Sequence, residues 1–151
     1  MSSGGPFAAP AVLIAVIDDE PAIRVSLARL CGALGMRAVA FASGQEFIDA
    51  LDGVAVAPDC LLLDAHMPSQ SGLEIQQQLV RRAVRFPTIV YSADDTPEAL
   101  DRYIQAGAVD YLQKPITAEQ LVSAIEHALA TSKSEVRVPR PPATLSPTPE
   151  L

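Results

Sequence analysis

The sequence has no tryptophan, two cysteines and few aromatic residues (5%). Cys31 and Cys60 lie in separate apolar segments, in neither a CxxC nor any other metal-ligand spacing, so they indicate no disulfide framework and no zinc centre. Both read as small buried residues of a reducing compartment. No apolar run approaches the ~18 residues that would suggest a membrane span. Residues Met1 to Pro10 have no basic residue and no long apolar core, both of which a secretory signal requires. A cytoplasmic protein with no membrane association is expected. Positive charge is also scarce. Lys and Arg total 11 against 18 Asp and Glu, for a net charge of −7, and residues 11–132 hold 8 of the basic and 16 of the acidic residues, a balance of −8. Nucleic-acid binding needs clustered positive charge, so this chain is not expected to bind nucleic acid itself.

What is present suits one soluble globular domain: 151 residues, 49% apolar and 19% charged. Met1 to Pro6 is small and polar, residues 1–10 carry no charge, and this stretch is expected to be disordered. Five of the thirteen prolines fall between Pro139 and Pro149. Each removes a backbone donor and fixes φ, so residues 133–151 are expected to form an extended linker or tail. The unit left between them, 11–132, is large enough for a core of its own and contains no internal repeat.

Within it, short apolar runs alternate with amphipathic stretches. Val12 to Ile17 is apolar throughout and stops at Asp18-Asp19-Glu20, with Pro21 suited to a first helical turn. Ile23, Leu27, Leu30 and Leu34 then recur at helical spacing, and Gly35 is a C-cap candidate. Arg37 to Phe41 reads as the second strand, Cys60 to Leu63 as the third, Thr88 to Tyr91 as the fourth and Val109 to Leu112 as the fifth. Between them, Ser43–Glu46, Ser71–Glu74 and Thr117–Gln120 have capping-box spacing, and Thr96-Pro97 opens a helix with Leu100, Tyr103 and Ile104 that Gly107 ends. Strands without polar alternation are buried on both faces, which implies a parallel sheet covered by helices on each side. Five βα units are too few for an eight-stranded barrel. A doubly wound, open α/β sheet is predicted.

In such sheets ligands sit beyond the carboxyl ends of the strands. Those ends carry Asp18, Asp19 and Glu20, then Asp64, then Ser92, then Lys114-Pro115. Like charges 4 Å apart repel by ~4 kcal/mol at an effective dielectric of 20. Lys114 offsets part of that, and a hard divalent cation such as Mg²⁺ suits the remainder. The acidic triplet by itself is equally compatible with favouring the N-terminus of the following helix; Asp64 and Lys114 at the same edge tip the balance towards a cation site. Ser92 alone is compatible with merely ending a strand, Tyr111 with a core residue whose hydroxyl is wet, Met67 and Pro68 with loop geometry, and His127 with a solvated surface.

Asp18-Asp19, Asp64-Ala-His-Met-Pro68 with Gly72, Ser92-Ala93, and Ala106-Gly-Ala-Val-Asp-Tyr-Leu-Gln-Lys-Pro115 together resemble the motifs of response-regulator receiver domains, the CheY-like superfamily of two-component systems. The resemblance spans roughly residues 11–132 and implies a flavodoxin-like, five-stranded α/β sheet of order 2-1-3-4-5. It implies that Asp64 takes a phosphoryl group from a phosphohistidine, as a signalling switch and not a metabolic enzyme. Asp19 would be the principal acidic Mg²⁺ ligand, with Asp18 ligating directly or through water, Asp64 a third ligand, and the backbone carbonyl of His66 completing the set. Lys114 would pair with a phosphoryl oxygen, with a cis peptide before Pro115. Ser92 would bind the phosphoryl group, small Ala93 would leave access to it, and Tyr111 would couple the site to a face formed by the fourth helix, fifth strand and fifth helix. The partners implied are a sensor histidine kinase or a histidine phosphotransfer protein, with phosphorylation-dependent homodimerisation through that face as a further expectation.

Three positions vary within or depart from the family pattern. Ser92 replaces the commoner threonine, His66 is unusual two residues past the nucleophile, and Asp94 adds a carboxylate near the phosphoryl site that is suited to orienting a water. Two other readings stand beside the switch: a phosphorylation-independent binding module, and an Asp-nucleophile phosphohydrolase. The second is disfavoured by His66 where such enzymes of the haloacid-dehalogenase type place a second aspartate, and by the lack of a cap insertion. Residues after 132 are too few for a helix-turn-helix or catalytic domain. The tail is thus either a free terminus or a linker towards an effector.

Overall fold

Each apolar run forms a strand whose alternate side chains enter opposite layers. In the computed structural model, which describes residues 12–53, 58–67, 70–82, 86–94 and 96–137, the element order is β1 (Leu13–Ile17), α1 (Pro21–Ala33), β2 (Arg37–Phe41), α2 (Gly44–Gly53), β3 (Cys60–Asp64), α3 (Gly72–Arg81), β4 (Thr88–Ser92), α4 (Pro97–Gln105), β5 (Asp110–Gln113) and α5 (Ala118–Arg137). The strands form one parallel sheet in the order β2-β1-β3-β4-β5, as expected. One face presents Ile14, Val16, Cys60, Leu62, Ile89 and Tyr91 to α1 and α5. The other presents Ala15, Ile17, Leu61, Leu63 and Val90 to α2, α3 and α4. The shift of one residue between the two sets is the period-2 alternation of a strand buried on both sides. Both cysteines are buried, and burial pushes the Cys60 thiol up to about 12, which leaves it inert.

The helix ends follow local chemistry. Ser71 with Glu74, and Thr117 with Gln120, form complete reciprocal capping boxes, and the Thr96 hydroxyl accepts from Ala99 N–H. The third expected box differs. Ser43 Oγ accepts from Glu46 N–H, but the Glu46 carboxylate reaches the amide of Ala42 instead of Ser43. Gly35 (φ +84°) and Gly107 (φ +113°) turn the chain out of α1 and α4 in the left-handed region that other residues rarely adopt.

A correction applies at the C-terminal boundary. The helix α5 continues to Arg137, so residues 133–137, expected in the tail, are helical. The first proline after α5 begins is Pro139, and a proline disfavours helical geometry at the residue before it, so the helix is free to run to Arg137. The expected disordered segment 1–10, Pro68 and the remainder of the tail, 138–151, lie outside the described residues. Among the described residues no helix is long and apolar enough to cross a membrane.

Candidate functional site

Strand register brings the acidic residues level. Ile17 pairs with Leu63 and Asp64 with Tyr91, so Asp18 and Asp64, each one residue further on, emerge side by side at the carboxyl edge. Asp18 is fully buried. Its Oδ1 accepts from Glu20 N–H (2.9 Å), its Oδ2 accepts from the Tyr91 hydroxyl (2.8 Å), and its carbonyl accepts from the Arg24 guanidinium (2.8 Å). Glu20, the N-cap residue of α1, makes no side-chain cap; Asp18 ties down this turn instead. The carboxylate oxygens of Asp18, Asp19 and Asp64 lie within 4.8 Å of one another.

Asp64 is only 2% exposed. Burial first, then the charge of Asp18, pushes its carboxyl above the ordinary range, while the His66 N–H (3.2 Å) and Lys114 pull it back. The Lys114 ammonium stands 3.3 Å from Asp64 Oδ1 and 4.0 Å from Asp18 Oδ2, and 5.2 Å from the Tyr91 ring centroid. It is the single cation within salt-bridge distance of these carboxylates among the described residues. Its backbone N–H donates to the Ser92 carbonyl (2.8 Å), which ties β5's exit to β4's, and the Lys114–Pro115 peptide is cis. An open cleft of about 440 Å³ lies over this edge, lined among others by Asp19, Glu20, Asp64, His66, Ser71 and Lys114.

Ser92 is fully buried, with Oγ accepting from Asp94 N–H (3.0 Å). The neighbouring Ala93 is exposed. Asp94 is engaged twice. Its carboxylate accepts from Thr96 N–H, which holds it below the ordinary carboxylate range, and its carbonyl accepts from the Tyr111 hydroxyl (2.8 Å). The Tyr111 ring stacks on Tyr103, with centroids 5.8 Å apart, and the Tyr103 hydroxyl donates to the Ala65 carbonyl (3.3 Å) beside Asp64. The side chains of His66 and His127 are exposed.

The fold thus brings Asp18, Asp19, Asp64, Ser92 and Lys114 to one edge, with Tyr111 joined to it through Asp94. Sequence reasoning missed two residues, Tyr91 and Tyr103. Tyr91 sits on the core face of β4, where its ring explains its presence and its hydroxyl does not. A buried phenol requires a partner, and that requirement was the available signal. Its partner is Asp18, 73 residues away in sequence. Burial and the charge of Asp18 push this hydroxyl far above its ordinary range, so it stays a protonated donor.

A five-stranded parallel sheet of order 2-1-3-4-5 with five flanking helices is the CheY-like α/β fold. The family model described as response regulator receiver domain matches residues 14–126, and the chain belongs to this family. It is 37% identical over 120 residues to the response regulator protein TodT of Pseudomonas putida, covering 79% of this chain and 52% of that protein. It is 34% identical over 118 residues to the transcriptional regulatory protein TdiR of Thauera aromatica, covering 78% and 51%. It therefore spans about half the length of these relatives. Among solved structures, the response regulator receiver protein from Burkholderia phymatum superposes with a TM-score of 0.71 at 30% identity, covering 79% of this chain and 95% of that one. The receiver domain protein from Clostridium thermocellum superposes with 0.75 at 26%, covering 82% and 98%.

Proposed function

We propose that this receiver is a phosphoacceptor whose nucleophile is Asp64, charged by a histidine kinase or a histidine phosphotransfer protein. The observation that carries the reading is a buried carboxylate at a strand end, 3.3 Å from an ammonium, with two further carboxylates in reach. A carboxylate oxygen of Asp64 forms the new bond to phosphorus as the phosphorus–nitrogen bond of the donor phosphohistidine breaks, and the imidazole leaves with the bond's electron pair and takes up a proton. Lys114 is placed to neutralise charge on the transferred group, and Ser92 Oγ to donate to one of its oxygens once the Asp94 turn adjusts. Hard oxygen donors without nitrogen or sulfur suit Mg²⁺, held by Asp18, Asp19, Asp64 and the carbonyl of His66. When bound, it would neutralise phosphoryl oxygens.

The output side follows from the chain of contacts Ser92, Asp94, Tyr111 and Tyr103. A phosphoryl group that draws Ser92 inward loads the loop that holds the Tyr111 hydroxyl, and the Tyr103 ring moves with it. That element borders a groove of about 390 Å³ lined by Thr96, Pro97, Leu100, Asp101, Tyr111 and Gln113, with the apolar side chains of Leu100 and Ile104 exposed beside it. An exposed apolar patch of this kind suits a partner or a second copy of the chain.

Intact-mass measurement after incubation with acetyl phosphate tests the reading. One added phosphoryl mass is expected with Mg²⁺, and none with EDTA or in Asp64→Asn. A gain that persists in Asp64→Asn would assign the acceptor elsewhere. No gain in the wild type with acetyl phosphate, and none with a phosphorylated histidine donor, would leave a phosphorylation-independent binding module.

A further inference from the structure

Tyr91 touches the site at three places. Its hydroxyl donates to Asp18 Oδ2 (2.8 Å), its carbonyl accepts from the amide of Ala65 next to Asp64 (2.9 Å), and the Lys114 ammonium stands over its ring at 5.2 Å. Both Tyr91 and Asp18 are fully buried. With Glu20 N–H on Oδ1 and Tyr91 on Oδ2, each oxygen of Asp18 has a donor, so the plane of the carboxylate is fixed from both ends. The ring belongs to the buried cluster that faces α1 and α5, together with Leu27, Leu121 and Ile125. A hydrogen bond from a fully buried phenol on a central strand restrains the carboxylate it reaches. A metal ligand held in this way loses less freedom when the cation arrives, and removal of such a partner typically weakens metal binding 10–100-fold.

We propose that Tyr91 is a positioning residue for the cation site, holding Asp18 oriented for Mg²⁺ through its hydroxyl. This rests on the receiver reading above and adds to it a residue outside the acidic and lysine motifs. The alternative is a structural role only, in which the phenol compensates the burial of Asp18 and has no bearing on the cation.

Tyr91→Phe keeps the ring, its packing and its contact with Lys114, and removes only the donor. Isothermal titration with Mg²⁺ at neutral pH is expected to show about tenfold weaker binding for Tyr91→Phe than for the wild type. In the Asp18→Asn background the same substitution is expected to change affinity less than twofold, because the group it positions is gone. Equal Mg²⁺ affinity in the wild type and Tyr91→Phe, whatever the change in melting temperature, overturns the positioning role while leaving the receiver reading standing. An undiminished effect in the Asp18→Asn background overturns it as well. A wild type that binds no Mg²⁺ overturns both. A second readout needs no variant: with ring-labelled tyrosine, the Tyr91 resonance is expected to shift on Mg²⁺ addition, and its constancy while Mg²⁺ binds contradicts the proposal.

Discussion

Asp64 combines two unfavourable conditions, burial and a carboxylate neighbour, with partial compensation from Lys114 and the His66 amide. Its carboxyl is therefore raised above the ordinary 3.8 of an aspartate. The sign for stability follows. At neutral pH Asp64 is charged in both folded and unfolded chains, and the folded chain carries the full cost. As pH falls through the raised folded value towards the unfolded one, the folded chain takes up its proton first and the cost is relieved. Asp64→Asn is thus expected to raise the melting temperature of the metal-free protein at pH 7, by about 4 °C for each 1 kcal/mol relieved in a domain of this size. The gap between the two proteins should close as the pH approaches the ordinary aspartate value. Differential scanning calorimetry at several pH values without Mg²⁺ checks it, and a gap that widens on acidification contradicts the assignment. Mg²⁺ should stabilise the wild type by mass action, by about 2.7 kcal/mol at a hundred times its dissociation constant, and Asp64→Asn by less. At this scale the sequence was informative about charged residues at strand ends, because topology alone places them. Tyr91 and Tyr103 were opaque, since their hydroxyls find partners on distant strands and loops.

At the scale of elements, α3 approaches the end of β3 closely enough to restrict the residue at its start. A Cβ on Gly72 would sit 3.0 Å from the Asp64 carbonyl and 3.1 Å from Ala65 Cα, backbone atoms that cannot swing aside. Gly72→Ala is expected to cost roughly 1–3 kcal/mol, seen as a lower urea midpoint with unchanged slope, and to impair the Asp64 site because the strain falls on that strand end. An unchanged midpoint would mean that α3 can back away from the sheet at no cost. The helix starts were legible wherever a capping pair closes on itself, as at Ser71 and Thr117. Ser43 marked the start of α2 correctly and caps it, and only the return contact differs, the Glu46 carboxylate reaching the amide of Ala42 one residue earlier. The far end of α5 was misjudged because proline density marks where a helix must have ended and leaves open how far it runs before that.

Across the whole molecule, five short strand-like runs alternating with amphipathic segments were enough to predict an open parallel sheet with two helical layers, whereas its order came from the family resemblance, because doubly wound sheets occur in more than one strand order. The same order creates the function-bearing edge: β1 and β3 are neighbours at the centre, so their terminal aspartates meet, and β4 and β5 deliver Ser92 and Lys114 beside them. Receiver architecture, family membership and the clustered charges support the proposed event, transfer of a phosphoryl group to Asp64. The most direct measurement is to map the acceptor itself. The protein is treated with acetyl phosphate and Mg²⁺, reduced with borohydride, which converts an aspartyl phosphate to homoserine, and digested for peptide mass spectrometry. The account predicts homoserine at position 64 in the Mg²⁺-treated sample and unmodified aspartate in the EDTA control. Reduction at another carboxylate, or a phosphoryl group that survives borohydride on a hydroxyl or imidazole, would contradict it.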